Sequence, residues 1–241
     1  MTSATRTAII AGVGPGIGAA TARAFANAGY HVALLARNED YLSGLKADIE
    51  RSGAKASAFP VDLTKSDTIH AAMTSLIATL PPIHVLVCNA GAAFRPGSIL
   101  NLDPKALEQS LNVQVLGPLH LTQLVLPEML LHGEGSIIYT GATASLRAGA
   151  NFASLAVPKF ALRALAQSVA REFNPKNIHV SHVIIDAVVE SDQGRQWKRD
   201  APDDALIKPD AIAAEFLHLT RQQKSAWTFE LELRPFLEQW S

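Results

Sequence analysis

Short apolar runs alternate along the chain with longer segments in which apolar residues recur at helical spacing. Because runs such as Ile83–Cys88 are apolar at every position except His84, they are expected in a sheet that is buried on both faces. The alternation of the two patterns predicts one doubly wound, Rossmann-like α/β domain with a parallel sheet of about seven strands. The predicted strands are Thr7–Ala11, His31–Ala36, Ala56–Pro60, Ile83–Cys88, Gly135–Thr140, Ile178–Ile185 and Trp227–Leu233.

The segments between these strands have helical period and helix-ending residues. Within them, Pro118 predicts a kink or break and Pro158 a bend, because proline lacks the N–H that a helix needs. The charged segment Asp186–Lys208 lacks periodicity and predicts a mobile loop with about one helical turn. The predicted helices are Gly16–Ala28, Asp40–Arg51, Ser66–Leu80, Pro104–Leu131, Phe152–Phe173 and Pro209–Arg221.

A glycine pattern, Gly12-x-x-x-Gly16-x-Gly18, lies between the first strand and the first helix. A backbone without side chains can turn sharply there and approach a pyrophosphate. The following helix would direct its free N–H groups at the phosphates. The alternative is a tight strand–helix turn that binds nothing.

The end of the second strand, Ala36-Arg37, indicates which dinucleotide would bind. A carboxylate at this point would bind the adenosine ribose hydroxyls and select NAD, and Ala36 has none. The Arg37 guanidinium could pair with a 2′-phosphate, so NADP is favoured over NAD. The alternative is that Arg37 is an ordinary surface cation.

Composition narrows the class of protein further. A length of 241 residues suits one α/β domain, and a net charge of −1 gives no general attraction to nucleic acid or anionic membranes. The single cysteine, Cys88, excludes an internal disulfide framework. Because the first residues lack a signal-peptide pattern and no apolar run is long enough to span a bilayer, we expect a cytoplasmic protein. The histidines show no metal-ligand spacing, so no metal is expected.

Several further motifs follow in order: Val61-Asp62-Leu63, Cys88-Asn89-Ala90-Gly91, Asn112 and Lys159. With the glycine pattern they resemble the short-chain dehydrogenase/reductase family over nearly the whole chain. The resemblance implies the strand order 3-2-1-4-5-6-7 and a segment, 186–208, that covers the substrate. It also implies a catalytic role for Asn112 and Lys159. The cofactor-binding residues that it implies are Gly12, Gly16, Ile17, Gly18, Arg37, Asp62, Asn89, Ala90, Gly91, Lys159 and Val189.

The chain departs from the family pattern in the part that moves protons. Leu155 stands four residues before Lys159, where the family has the tyrosine that donates a proton. Gly141-Ala142 stands where the family has a serine pair, so the substrate-orienting hydroxyl is absent unless Thr143 supplies it. Asp186-Ala187 replaces a Pro-Gly and offers a carboxyl that could act as an acid.

These departures leave three hypotheses about the function of the chain. The first is an NADP-dependent oxidoreductase with a non-standard site, which could reduce C=N, activated C=C or C=O bonds of a small molecule. The second is a cofactor-binding protein without turnover, such as a sensor or a structural subunit. The third is an ordinary alcohol dehydrogenase in which Thr143 or Asp186 replaces the tyrosine. NADPH consumption with ketones, imines and enones separates the first two readings.

The resemblance also implies self-association. Family members pair through the helices that correspond to Pro104–Leu131 and Phe152–Phe173, and both carry more apolar residues than one side of a sheet needs. The last strand and the tail up to Trp240 offer a second contact. We therefore expect a homodimer or a homotetramer.

Overall fold

A parallel sheet forms the centre of the computed structural model, which describes residues 5–92 and 94–238; Trp240 lies outside these residues. Within them the sheet has seven strands in the order β3-β2-β1-β4-β5-β6-β7, and every neighbouring pair is parallel. Both the fold class and the strand order are as predicted. The strands are β1 Thr7–Ala11, β2 His31–Ala36, β3 Lys55–Pro60, β4 Ile83–Cys88, β5 Gly135–Ala142, β6 Ile178–Ile185 and β7 Glu230–Leu233.

Each face of the sheet is covered by its own hydrophobic core. Along β1, Ile9 and Ala11 belong to one core, whereas Ala8 and Ile10 belong to the other. Successive strand residues point to opposite faces, so a run that is apolar throughout serves both cores. Each fully buried Ile or Leu side chain contributes roughly 1.5–3 kcal/mol to stability. The continuous apolar runs in the sequence are explained by this arrangement.

The helices cover the two faces and begin and end within a few residues of the predicted positions. Asn38 begins α2 by accepting a hydrogen bond from the Tyr41 amide, and Gly133 ends α5 in the left-handed conformation. No helix among the described residues is long and apolar enough to cross a bilayer. The helices are α1 Ile17–Asn27, α2 Glu39–Arg51, α3 Ser66–Thr79, α4 Pro104–Leu111, α5 Gly117–His132, α6 Ala153–Phe173, α7 Asp192–Trp197 and α8 Pro209–Leu219.

The long helix predicted over Pro104–Leu131 is divided by a π-helical turn, Asn112–Leu116. The Gly117 amide donates to the Asn112 carbonyl five residues earlier, so the hydrogen-bond register changes before Pro118. Pro118 is then the second residue of α5, directly after the π turn. The break predicted at Pro118 therefore takes the form of a π turn.

The segment 186–208 contains more regular structure than the single helical turn predicted for it. Ser191 caps α7 by accepting from the Gly194 amide at 3.0 Å, and a 3-10 turn follows at Asp203–Ala205. Val189 and Ile207 form a parallel bridge that closes the base of the segment. Gly194 is needed here because a β-carbon on it would lie 2.1 Å from the Val189 carbonyl oxygen. These local contacts, rather than apolar periodicity, order the segment, so the periodicity criterion missed them.

Candidate functional site

A cleft of about 980 Å³ opens at the C-terminal ends of β1, β2, β3 and β4. In the strand order, the connection from β3 crosses over to β4 beside β1, and such switch points form the ligand crevice of doubly wound sheets. Five of the predicted cofactor-binding residues line the cleft: Gly12, Arg37, Asp62, Ala90 and Gly91. The remaining predicted site residues do not line it: Gly16, Ile17, Gly18, Asn89, Asn112, Thr143, Lys159 and Val189.

The turn after β1 packs directly against the turn after β4. Gly12 has φ 93°, and a β-carbon on it would lie 2.3 Å from the Ala90 nitrogen. The Asn89 side chain donates to the Gly12 carbonyl at 3.0 Å, and a β-carbon on Gly18 would lie 2.5 Å from the same oxygen. Gly12 and Asn89 therefore hold the two turns together, and Gly18 lets the start of α1 pack closely on the turn after β1.

The start of α1 is open to an anion. Gly16 precedes the helix with φ 116°, no side chain caps the helix, and its first turn contains no acidic residue. The first amides of a helix have no acceptor within the helix, and its N-terminal end carries a partial positive charge. Ile17 is the first residue of α1, so its amide belongs to this group. The arrangement suits a phosphate group, as the glycine pattern predicts.

Two charged residues line the cleft after the neighbouring strands β2 and β3. Asp62 accepts from both the amide and the hydroxyl of Thr64, at 3.0 and 2.8 Å. The Thr64 amide is the main cause that lowers the pKa of Asp62, and Lys65 and Arg37 contribute smaller effects. Arg37 is exposed at the mouth of the cleft, directly after β2. The site therefore presents an ionised carboxylate and a guanidinium to whatever binds there.

Sequence reasoning missed one wall of the cleft. Ala106, Gln109, Ser110 and Val113 line it from α4 and the π-helical turn, at spacings that place them on one face of a helix. The sequence contained this signal, because Asn112 had already assigned the helix to the site.

Within residues 5–92 and 94–238 no group of three or more His, Cys, Asp or Glu side chains is placed to hold a metal ion.

Lys159 lies inside the protein beside the end of β5. Its ammonium donates to the Thr140 carbonyl at 2.7 Å, and burial lowers the pKa of Lys159 to about 8. Leu155 is half-buried one helical turn earlier on α6. Asn112 is half-buried in the π-helical turn that packs against α6, and its carbonyl accepts from the Gly117 amide.

Thr143 and Asp186 bind each other in this structure. The Thr143 hydroxyl donates to the Asp186 carboxylate, which also accepts from Arg234 and, at 3.3 Å, from Arg147. The Thr143 proton is thus held by the carboxylate, and Asp186 is a partner in two ion pairs. Because both groups are already engaged in these contacts, the structure does not favour the hypothesis that Thr143 or Asp186 donates a proton to a substrate.

Tyr139 is a core residue. Its side chain is fully buried in the core beneath α6, and its hydroxyl lies 2.6 Å from that of Thr122. Burial raises the pKa of Tyr139. These contacts agree with the expectation that a tyrosine on a strand buried on both faces serves packing.

Replacing Lys159 by methionine is expected to stabilise the protein at pH 7. Burial disfavours the ammonium in the folded state, where its pKa falls from 10.5 to about 8. This penalty, at most about 3 kcal/mol, is fully present below pH 8 and disappears as the pH rises towards 10.5. Urea unfolding of both proteins between pH 7 and 10 measures it, and the advantage of Lys159→Met should shrink with pH. Lys105→Met, at an exposed position, is the control; a pH-independent difference for Lys159→Met would contradict the prediction.

Comparison with characterised proteins places the fold and the cleft in a known context. A short-chain dehydrogenase of Pseudocercospora fijiensis is 32% identical over 204 residues, 83% of this chain and 63% of that protein. A fatty acyl-CoA reductase of Acinetobacter baylyi is 29% identical over 184 residues, 76% of this chain and 62% of that protein. The matched part of the chain therefore spans less than two thirds of the length of these relatives.

Solved structures match over nearly full length. A short-chain dehydrogenase from Rhodopseudomonas palustris has a TM-score of 0.83 and 37% identity, covering 96% of this chain and 99% of that one. A metagenomic short-chain oxidoreductase in complex with NADP has a TM-score of 0.83 and 28% identity, covering 96% and 98%. The sequence model of the family described as short chain dehydrogenase matches residues 6–201. This chain belongs to the short-chain dehydrogenase family.

Proposed function

We propose that this chain is an NADP-dependent oxidoreductase whose proton-donor site differs from that of its family. The observation that carries the proposal is the combination of a cleft lined by Gly12, Arg37 and Asp62 with a buried lysine, Lys159, that has leucine one helical turn before it in place of the family tyrosine. Leu155 and Ala142 occupy the positions of the family tyrosine and serine, and neither side chain can donate a proton. The relatives named above include dehydrogenases and reductases, and one neighbour was solved with NADP.

NADP rather than NAD fits the residues at the end of β2. Ala36 lines the cleft where a carboxylate would otherwise select NAD, and Arg37 lies beside it. The lowered pKa of Asp62 keeps its carboxylate ionised after β3, the strand next to β2, and an ionised carboxylate suits hydrogen bonding to the adenine edge rather than to a phosphate. The open N-terminus of α1 would take the pyrophosphate, and Lys159 the hydroxyls of the nicotinamide ribose.

The substrate class follows from the missing hydroxyls. Bound NADPH would supply a hydride. The residues of this chain would hold and orient the substrate, and the proton would have to come from the substrate itself or from water, because no tyrosine hydroxyl is available at position 155. A protonated C=N bond, or an activated C=C bond that takes its proton from water, suits such a site better than a simple ketone. Proton donation typically contributes about 10²–10⁴-fold to a rate, so ketones would react slowly.

The segment 186–208 is proposed to cover the substrate. Its base is closed by the Val189–Ile207 bridge, and Val189 is half-buried at that base, where it could contact the cofactor. Trp197, at the end of α7, exposes 57% of its surface and offers an aromatic face to an incoming ligand.

The second candidate is a cofactor-binding protein without turnover. The specific observation that favours it is the contact between Thr143 and Asp186, which occupies the nearest alternative proton donors. A panel of ketones, imines and enones with NADPH decides between the two. Oxidation of NADPH with any of them supports the enzyme, whereas binding without oxidation supports the second candidate.

NADPH should bind more tightly than NADH, and Arg37→Ala should remove most of the difference. A charge-assisted contact with the 2′-phosphate contributes roughly 1.5–3 kcal/mol, which is about ten- to a hundredfold in affinity. Calorimetry with both cofactors measures it. Arg51→Ala, at the far end of α2, is the matched control and should leave both affinities unchanged. Equal affinities of the wild type for NADPH and NADH would refute the assignment of Arg37.

Leu155→Tyr should raise the turnover of simple ketones. A phenol at 155 lies one helical turn before Lys159, so the ammonium can lower its pKa and make it a proton donor. Ala142→Ser should add to the gain by orienting the carbonyl. NADPH oxidation is measured for the wild type, both variants and Leu155→Phe, which supplies the ring without the hydroxyl. If Leu155→Tyr binds NADPH normally yet reduces no ketone faster than Leu155→Phe does, the site is not a standard one lacking its donor.

The protein should form a homodimer or homotetramer. Leu116, Val157 and Phe160 expose 45%, 44% and 41% of their surface on the π-helical turn and α6, and Leu131 at the end of α5 exposes 77%. Covering this face with a second copy would remove the apolar surface from water. Light scattering at micromolar concentration should give at least twice the chain mass of 25.7 kDa. A monomer mass would refute the prediction. The cytoplasmic location expected from the sequence also stays a prediction.

A further inference from the structure

A buried chain of polar side chains lies behind Lys159, between β6 and β7. His182 on β6 is fully buried, and its Nδ1 lies 3.0 Å from a carboxylate oxygen of Glu230 on β7. The Glu230 carboxylate in turn accepts two hydrogen bonds from Arg163 on α6, at 2.7 and 2.8 Å. Among the described residues, the second ring nitrogen, His182 Nε2, has no hydrogen-bond partner.

The partners of His182 determine its tautomer. Hydrogen bonding to Arg163 is the main cause that lowers the pKa of Glu230, so its carboxylate is ionised and accepts the Nδ1 proton. Burial lowers the pKa of His182, so the imidazole is neutral at pH 7. A neutral imidazole with its proton on Nδ1 carries a lone pair on Nε2.

The imidazole and the lysine approach the same peptide unit. His182 Nε2 lies 2.4 Å from the position that a β-carbon on Gly141 would occupy. The Lys159 ammonium donates to the carbonyl of Thr140, which is the peptide that joins Thr140 to Gly141. The Lys159 charge also contributes to the lowered pKa of His182, so the two groups are electrostatically coupled. Glycine at 141 is therefore required for His182 to reach this place.

We propose that His182 is a positioning residue for Lys159. Glu230 and Arg163 fix its neutral imidazole so that the Nε2 lone pair is directed toward the Lys159 ammonium. The charged groups that face it are Lys159 and Arg163 on α6 and Glu230 on β7. The lone pair is the negative end of the imidazole dipole. It therefore stabilises the charged form of Lys159, which burial destabilises. The inference rests on the proposed function for the role of Lys159, since the ammonium is the group that would bind the cofactor ribose.

Three substitutions of His182 test the roles of its two ring nitrogens, Nδ1 and Nε2, separately. The amide of asparagine can take the place of Nδ1 and keep the bond to Glu230, but it leaves nothing at Nε2. The amide of glutamine reaches the place of Nε2 and can present its oxygen there. Phenylalanine keeps the ring volume and removes both polar atoms. His182→Asn should therefore keep the hydrogen bond to Glu230 but lose the proposed effect on Lys159. His182→Gln should keep the proposed effect on Lys159.

The deciding measurement is an ¹⁵N NMR titration of the Lys159 side-chain nitrogen in the protein without cofactor, with Lys159→Met to assign the signal. The wild type should titrate near the pKa of about 8 given by burial. In His182→Asn and His182→Phe the midpoint should fall by about 0.5–1 pH unit, whereas His182→Gln should stay close to the wild type. An unchanged midpoint in His182→Asn, or equal shifts in His182→Gln and His182→Phe, would overturn the proposal.

A second measurement needs no substitution at His182. In ¹⁵N-histidine-labelled wild type, His182 should show a protonated Nδ1 and an unprotonated Nε2 at pH 7; a proton on Nε2 would overturn the proposal even if every variant failed to fold. Calorimetry with NADP⁺ at pH 7 and pH 9 then tests the function separately. If the wild type does not bind NADP⁺, the proposed function fails, while the Lys159 titration still decides the role of His182.

Discussion

The contact between Gly12 and the backbone at Ala90 is the constraint on which the rest of the site depends. β1 and β4 are neighbours in the sheet, and the turns that follow them touch so closely that a β-carbon on Gly12 would overlap the Ala90 nitrogen. The strand order reverses between β1 and β4, so the connections that follow them run in opposite directions and their helices cover opposite faces of the sheet. The cleft is the space left between them, and its position follows from this contact before any ligand is considered.

This dependence explains why the sheet, and the cleft at the ends of β1 and β4, could be predicted from the sequence. Runs that are apolar throughout mark strands buried on both faces, and the glycines mark the places where backbone meets backbone. Both signals are local, since Gly12, Gly16 and Gly18 reveal the turn without knowledge of what packs against it. Arg37 and Asp62 follow directly after strands, so the strand order alone brings them to one edge.

The polar contacts behind the cleft could not be predicted in the same way. His182 meets Glu230 because these two residues are directly paired in the register between β6 and β7. It reaches Gly141 because the register between β5 and β6 pairs Tyr139 with His182. A shift of one residue would turn each of these side chains to the opposite face. Likewise, Thr143 meets Asp186 because β5 and β6 end side by side. Periodicity assigns the strands but not the register, so these partners become visible only in three dimensions.

Lys159 is the residue on which the proposed cofactor site and the proposed difference from the family pattern both depend. A buried ammonium is unfavourable unless its protons are bound, and here one of its three donors is bound to the Thr140 carbonyl at 2.7 Å. In the family pattern a tyrosine hydroxyl would lie one helical turn away, and Leu155 offers no such group. Hydroxyl groups of a bound ribose would provide the acceptors that the ammonium lacks. The stability cost of the buried ammonium and the proposed affinity of the site for ribose hydroxyls would therefore have the same physical origin, whether or not the chain transfers a hydride.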